Sequence, residues 1–278
     1  MNRILLILLI MLGVQAAKAQ QNIIVSTYNI RLDVPSDNPN HWENRKAFLA
    51  SVVLFNQVEI LGVQEALHHQ MKDLDSLLPQ FAWTGVARDD GAQKGEYSAI
   101  FYRKDLYDYK KGGTFWLSET PENPSRGWDA ALPRVCTWAV LEQKSSGRKV
   151  FVMNTHFDHV GQQARAESAS LILKKAEELN TDHLPLIVMG DMNATATQKP
   201  IQLFSNKLLN TENLADIKML ASGTFNAFQW DTSPQNTIDY IFINNRWKVI
   251  RYGVITQSDV QRYPSDHFPV IVELGFAD

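Results

Sequence analysis

The sequence predicts an α/β domain, and three observations carry that prediction. A strand–helix–strand rhythm opens the globular part, with β-branched runs at Ile23–Tyr28 and Ile60–Gln64 on either side of a helical pattern. The apolar run Leu186-Ile187-Val188-Met189, bounded by Pro185 and Gly190, reads as a strand buried on both faces. Polar, ligand-type side chains also recur where strands end, at Asn29, Glu65, Asp191 and Asn193. With 278 residues, 45% hydrophobic and 21% charged, the chain has ample material for one core. It holds no Gly/Ser or Pro-rich linker, no repeat and no low-complexity tract, so one domain is expected over residues 20–278.

Residues 1–19 read as a leader. Arg3 precedes the apolar run Ile4–Val14, and Ala17-Lys18-Ala19 supplies a small-residue cleavage site. The run is too short to span a bilayer comfortably, no Cys follows it for lipid attachment, and export is expected after cleavage near Ala19. The single Cys136 cannot form an internal disulfide and reads as a buried strand residue.

After the first strand and its Tyr28-Asn29-Ile30-Arg31 end, Asp33–His41 is a loop rich in Pro, Asn and Asp. Glu43 or Asn44 is the expected cap of an amphipathic helix through Phe48, Val52 and Phe55. A second helix is expected from about Gln70 to Leu78. The middle reads as β-rich: Tyr97–Tyr102 is a strand, and Thr137–Glu142 pairs with Lys149–Asn154 across Ser145-Ser146-Gly147. Between them Gly112–Pro133 reads as a long loop whose Trp116 and Trp128 either form a substrate wall or cover a sheet edge. Arg134 follows, and either binds phosphate or pairs with a surface acid.

The turn Thr155-His156-Phe157-Asp158-His159 resembles a metal site at first sight, but zinc wants three or four ligands in defined spacing. The other strand-end groups are oxygen donors suited to a hard cation, so His156 reads as a donor to an anion. His159 joins Arg31, Arg134 and Arg165 as a candidate substrate contact. Ala164–Asn180 is a helix with Ala169, Ile172, Leu173 and Ala176 on one face; Arg165 near its start meets either a phosphate or an exposed acid. After the Leu186–Met189 strand, alternation would send Asp191 and Asn193 into one cleft, while an Asx-turn would use both on their own backbone. Gln198–Leu209 looks helical and Met219–Asp231 irregular. Asp239 opens the apolar strand Thr237–Ile243, where a buried acid needs a partner. His267, just before the final strand Val270–Leu274, is that partner, since an Asp commonly orients a His.

Cleavage after Ala19 would remove Arg3 and Lys18 and no acid, leaving 25 basic against 30 acidic residues, a net of −5. That balance argues against tight binding along a nucleic acid, and no stable nucleic-acid complex is expected.

In order, Tyr28-Asn29-Ile30, Gln64-Glu65, Asn154-Thr155-His156, Gly190-Asp191-Met192-Asn193, Ile238-Asp239-Tyr240 and Ser265-Asp266-His267 resemble the motifs of the endonuclease/exonuclease/phosphatase superfamily, the DNase I-like metal-dependent phosphoesterases. The resemblance runs from Asn29 to His267 and implies a four-layer α/β sandwich, two mixed β-sheets packed face to face with helices outside. It implies Mg2+ or Mn2+ held by Glu65 with Asn29 and Asp266, and His267, held by Asp239, acting at the scissile phosphate. Asp191 would position or deprotonate water, and Asn193 and His156 would bind phosphate oxygens; whether Asp191 or His267 takes the proton is left open. Abasic-site endonucleases of the family carry an acid two residues after the first Asn, where this chain has Arg31, which points away from DNA repair. The Tyr-Asn-Ile-Arg start and the Phe115–Pro121 segment look like a secreted bacterial branch. No exposed apolar hairpin of the sphingomyelinase kind is seen. The resemblance implies an exported, divalent-metal-dependent phosphodiesterase working by in-line attack of water. The alternatives are a phosphomonoesterase of the inositol-phosphate or sugar-phosphate type, with Arg31, Arg134 and Arg165 as its few candidate cations, and a silent binding module, which would be expected to lack Glu65 or His267.

Overall fold

A computed structural model describes residues 22–277, so the expected leader lies outside the described residues. The chain runs β1 (Ile23–Asn29), α1 (Trp42–Phe55), β2 (Ile60–Ala66), α2 (His68–Leu77), β3 (Phe81–Thr84), β4 (Tyr97–Arg103) and β5 (Tyr107–Trp116). Next come β6 (Val135–Gln143), β7 (Lys149–His156), α3 (Gln162–Leu179), β8 (Leu186–Asp191), α4 (Lys199–Ser205), β9 (Leu209–Asn210) and α5 (Thr211–Leu214). The final elements are β10 (Ile217–Met219), β11 (Asp239–Ile243), β12 (Trp247–Val254) and β13 (Val270–Phe276).

The strands form two mixed sheets. The first has the order β10-β12-β13-β1-β2-β4-β3, the second β5-β6-β7-β8-β11-β9. Strand β1 explains why they stack. Its residues are buried throughout, with Ile23 and Val25 in the apolar layer between the sheets and Ile24 and Tyr28 on the opposite face. That opposite face packs against Leu49 and Val53 of α1 and Met71 and Leu74 of α2. The second sheet repeats the scheme, Ile187 and Met189 facing the central layer while Val188 meets Ile172 of α3 and Ile201 of α4. Each such side chain, fully buried, contributes roughly 1.5–3 kcal/mol. The result is the four-layer sandwich, helices outside and two sheets within.

One polar group crosses the apolar gap. Asn154 of β7 donates through Nδ2 to Val63 O at 2.9 Å and Ala99 O at 2.8 Å, and its Oδ1 accepts from Gln64 Nε2 at 2.7 Å. Gly62 makes room for it, because a Cβ there would lie 2.6 Å from Asn154 Oδ1.

Several local expectations change. Helix α1 begins at Trp42 after His41, with no side-chain cap from Glu43 or Asn44. Its buried face is Trp42, Arg45, Leu49, Ala50, Val52 and Val53, while Phe55 is exposed. Part of the expected 112–133 loop is strand, because β5 pairs with β6 from Tyr107↔Gln143 to Trp116↔Val135. Polar residues and Gly112-Gly113 hide this edge strand in the sequence. Trp116 is buried, its Nε1 donating to Arg88 O at 2.6 Å, and neither it nor Trp128 lines the cleft described below. The helix expected over 198–209 is only α4, and the short strands β3, β9 and β10 and the long β12 were not foreseen.

Candidate active site

Sheet register builds the site. In the second sheet His156 pairs with Asp191 across β7 and β8, and Asp191 with Asp239 across β8 and β11, so three ionisable side chains stand in one row at one sheet end. Because β11 is antiparallel to β8, its first residue meets the last of β8. Gly190 permits the close approach: it has φ +149°, and a Cβ there would lie 2.0 Å from Thr155 O. In the first sheet Asn29 pairs with Gln64, and the register then shifts between Val63 and Ala66, so that Gln64 and Glu65 face a single residue of β4. This bulge turns Glu65, at φ 63°, into the cleft while Gln64 stays between the sheets.

The row meets His267 from the loop before β13. His267 Nδ1 lies 2.9 Å from Asp239 Oδ2, and Nε2 lies 3.7 Å from Asp191 Oδ2. Burial works against charging the ring, but Asp239 and Asp191 outweigh it and hold His267 well above the usual histidine range. Asp239 Oδ1 has no hydrogen-bond partner, so among the described residues the carboxylate's charge is met mainly by this ring. Asp191 is pushed up to about 7, first by burial and then by the Asp239 charge. Asp191, Asp239 and His267 also have the composition of a metal triad. Their ligand atoms lie within 4.8 Å of one another, a spacing compatible with an ion, while the two carboxylates also face different nitrogens of the one ring, an arrangement suited to passing a proton.

Oxygen donors for a cation stand on the first-sheet side. Asn29 Nδ2 donates to Glu65 Oε1 and Asp191 Oδ2, both at 3.0 Å, while its Oδ1 accepts from Arg31 N at 3.0 Å. Arg31 forks onto Asp37 at 2.8 and 3.0 Å and also lies 3.9 Å from Glu65 and 3.7 Å from Asp266. Asp266 is pushed up to about 6, by burial and then by the neighbouring Glu65. The hard carboxylate oxygens of Glu65 and Asp266, side by side in the cleft, fit Mg2+ or Mn2+. Glu65 and Asp266 would hold the ion, with Asn29 arranging the carboxylates. Arg45, buried under this turn, donates to the carbonyls of Ile30, Arg31 and Pro264, and Ser265 Oγ donates to Asn29 O at 2.6 Å. These bonds join the Asn29 turn to the Asp266-His267 loop.

The opposite wall is basic. Arg134 Nη1 lies 2.9 Å from His156 Nδ1, Nη2 lies 3.1 Å from His159 Nδ1, and Nε lies 3.5 Å from Asp158 Oδ2. Burial first, then the Arg134 and Arg88 guanidiniums, hold His156 well below the usual histidine range. Asp158 is a backbone anchor: it accepts from the N–H groups of Ala131, Leu132, Val160 and Gly161. Burial alone would raise it, but these bonds and Arg134 bring it down to about 2.

These walls enclose a cleft of about 520 Å3 that holds Arg31, Glu65, Arg134, His156, His159, Asp191, Asn193, Asp266 and His267 together. Asp239 stands directly behind His267, and Asn29 behind Glu65 and Asp191. Arg165 stands apart: its Nη1 donates to Asp158 O at 2.9 Å, and it does not line the cleft. Asp191 and Asn193 satisfy both of their alternatives, since Asn193 N donates to Asp191 Oδ1 at 2.9 Å in an Asx-turn while both side chains line the cleft. Alternation is not the cause, because the strand stops at Asp191 and Asn193 has φ 45°. Glu96 was missed. It reaches Arg88 at 2.7 Å, His156 at 3.8 Å and Arg134 at 3.9 Å, and it immediately precedes β4, which is antiparallel to β2. The signal was available, since the start of an antiparallel strand shares the sheet end where its neighbour stops.

The sequence profile described as the Endonuclease/Exonuclease/phosphatase family matches residues 26–267. A solved structure of a protein of that family from Bacteroides thetaiotaomicron is 41% identical, with TM-score 0.89, covering 93% of this chain and 99% of that one. Another from the same species, described as a mannosyl-6-phosphatase, is also 41% identical with TM-score 0.89, covering 91% of this chain and 100% of that one. Human nocturnin is 23% identical over 267 residues, 85% of this chain. The chain spans 59% of that relative's length.

Proposed function

Because the chain belongs to the Endonuclease/Exonuclease/phosphatase family, we propose that it is an exported, divalent-metal-dependent hydrolase of phosphoric esters, working by in-line attack of water. The observation that carries this reading is the Asp239–His267 pair reaching Asp191 beside the Glu65–Asp266 carboxylates. A bound Mg2+ or Mn2+ supplies charge neutralisation at the phosphate oxygens. Asp191, poised near neutrality, takes the proton of the attacking water as its oxygen bonds to phosphorus. As the bond to the leaving oxygen breaks, His267, kept protonated by Asp239, returns a proton to that oxygen. His156 and Asn193 stand beside Asp191 as donors to the phosphate oxygens.

The sequence favours a diester substrate. One observation favours a second reading, a monoester of a small sugar or polyol: the mannosyl-6-phosphatase matches this chain at 41% identity over nearly its whole length. The net acidity of the mature chain agrees with a small substrate better than with a polyanion. Hydrolysis of bis-nitrophenyl phosphate, nitrophenyl phosphate and mannose 6-phosphate, each with Mg2+, Mn2+ or EDTA, separates them, with His267→Ala as the contamination control. Turnover abolished by EDTA and by the substitution is expected, and the preferred ester assigns the branch. Absence of turnover on all three and on nucleic acids would leave the silent binding module standing. Export is tested by cell fractionation, where the extracytoplasmic protein is expected to begin near Gln20.

A further inference from the structure

We propose that Arg134 is a positioning residue that locks His156 and His159 as neutral Nε2–H donors, one deep in the cleft for the phosphate and one at its mouth for a hydroxyl of the esterified alcohol. The inference rests on the hydrolase reading above for its substrate, but its geometry stands alone. A guanidinium only donates and does not lose its proton near neutrality. Nη1 and Nη2 of the one group face Nδ1 of each ring, at 2.9 and 3.1 Å, so both Nδ1 atoms accept and each ring carries its proton on Nε2. The fork is itself fixed: Arg134 is buried, and Asp158 behind it is held by four backbone N–H groups.

The consequence differs at the two rings. Buried His156 turns its Nε2 toward Asp191 Oδ2 at 3.5 Å, the position of the reacting phosphate. Asn193 Nδ2 stands 3.1 Å from the same nitrogen and 2.9 Å from Phe157 O. Two N–H groups cannot donate to each other, so with His156 as the Nε2–H tautomer the Asn193 amide bonds Phe157 O and makes no bond to the ring. Exposed His159 lines the cleft at its rim, where a neutral N–H suits a hydroxyl acceptor rather than a second charge. A small polyhydroxylated phosphate monoester has acceptors at both positions; a simple aryl phosphate has only the first.

The test reads the rings directly. In long-range proton–nitrogen spectra of protein labelled with 15N-histidine, with and without Mg2+, both rings should be Nε2–H tautomers. Signals are assigned by their loss in His159→Gln and His156→Gln. Arg134→Gln should convert both rings to tautomer mixtures. A proton on Nδ1 of either ring in the wild type, or unchanged rings in Arg134→Gln, would overturn the proposal. If Arg134→Gln does not fold, the wild-type spectrum still decides. Kinetics then probe the mouth: His159→Ala should raise KM for a hexose 6-phosphate by up to about tenfold, the worth of one hydrogen bond. His159→Gln, which keeps a donor at the same reach, should recover most of it, and phenyl phosphate should change little. Equal effects on both esters would remove the mouth donor. Failure to hydrolyse any ester would sink the hydrolase reading while leaving the ring spectrum to judge Arg134.

Discussion

His267 and His156 approach the same carboxylate oxygen, Asp191 Oδ2, at 3.7 and 3.5 Å from opposite sheets, and both are buried. What differs is the group behind Nδ1. A carboxylate stands behind His267 and a guanidinium behind His156, and the two rings are driven in opposite directions from the ordinary histidine value. Burial lowers both and is the largest cause at His156, where the guanidinium adds to it, whereas at His267 the carboxylates outweigh it. The partner at the far nitrogen therefore sets the difference, favouring a charged ring at His267 and a neutral one at His156.

The largest break in that contrast is Asp239→Asn. An amide in place of the carboxylate can donate to Nδ1, reversing the tautomer of His267 and removing its charge. A fall in kcat of about 10³–10⁴ with little change in KM is expected, by analogy with the loss measured when a triad Asp is made Asn. A loss under about tenfold would show that the relay is not used.

Truncating the neutral side costs less. His156→Ala removes one donor from the phosphate and should lower kcat/KM on the order of 10²-fold. An effect confined to KM would mean that His156 only holds substrate before reaction.

The smallest effect concerns what holds the guanidinium. Asp158→Asn should cost about 2 kcal/mol in urea unfolding at neutral pH, the scale of a lost buried, charge-assisted hydrogen bond. The sign of its pH dependence follows from a folded-state pKa lowered to about 2. The stabilisation is fully present above the unfolded carboxylate's value near 3.8 and is lost as pH falls through that value toward 2. Wild type and variant should thus differ at pH 7 and 5 and converge below pH 4. A difference that persists at the acid end would assign the cost to packing rather than charge.

What the sequence disclosed, and what it did not, follows the same division. Strand ends carrying Asn29, Glu65, His156 and Asp191 were legible because a buried strand is a short apolar run and its next residue is fixed by one step of chain. Asp239 was legible because an acid opening an apolar strand demands a partner. Arg45 was not, since its partners include Pro264, 219 residues further along the chain, while Glu96 was legible only through the direction of the strand that follows it. Asp158 was noticed beside its histidines, but its duty comes from backbone N–H groups of the distant 131–132 turn, which no side-chain pattern reveals. Arg165 had the right residue type and the wrong address. The layered architecture came from a resemblance, because strand β5 is polar at the sheet edge and invisible to periodicity.

The Asn154 crossing has one more consequence. Asn29 and Glu65 belong to one sheet and His156, Asp191 and Asp239 to the other, so the working distances of the cleft are set wherever the sheets are held apart. Asn154 grips Val63, Gln64 and Ala99, just behind that end, through three bonds that a slide of either sheet would break together. The two sheets are jaws clamped at one opening. Loops at the rim can be recut for a new substrate without moving the jaws, and the residue that sets the opening never touches what they hold.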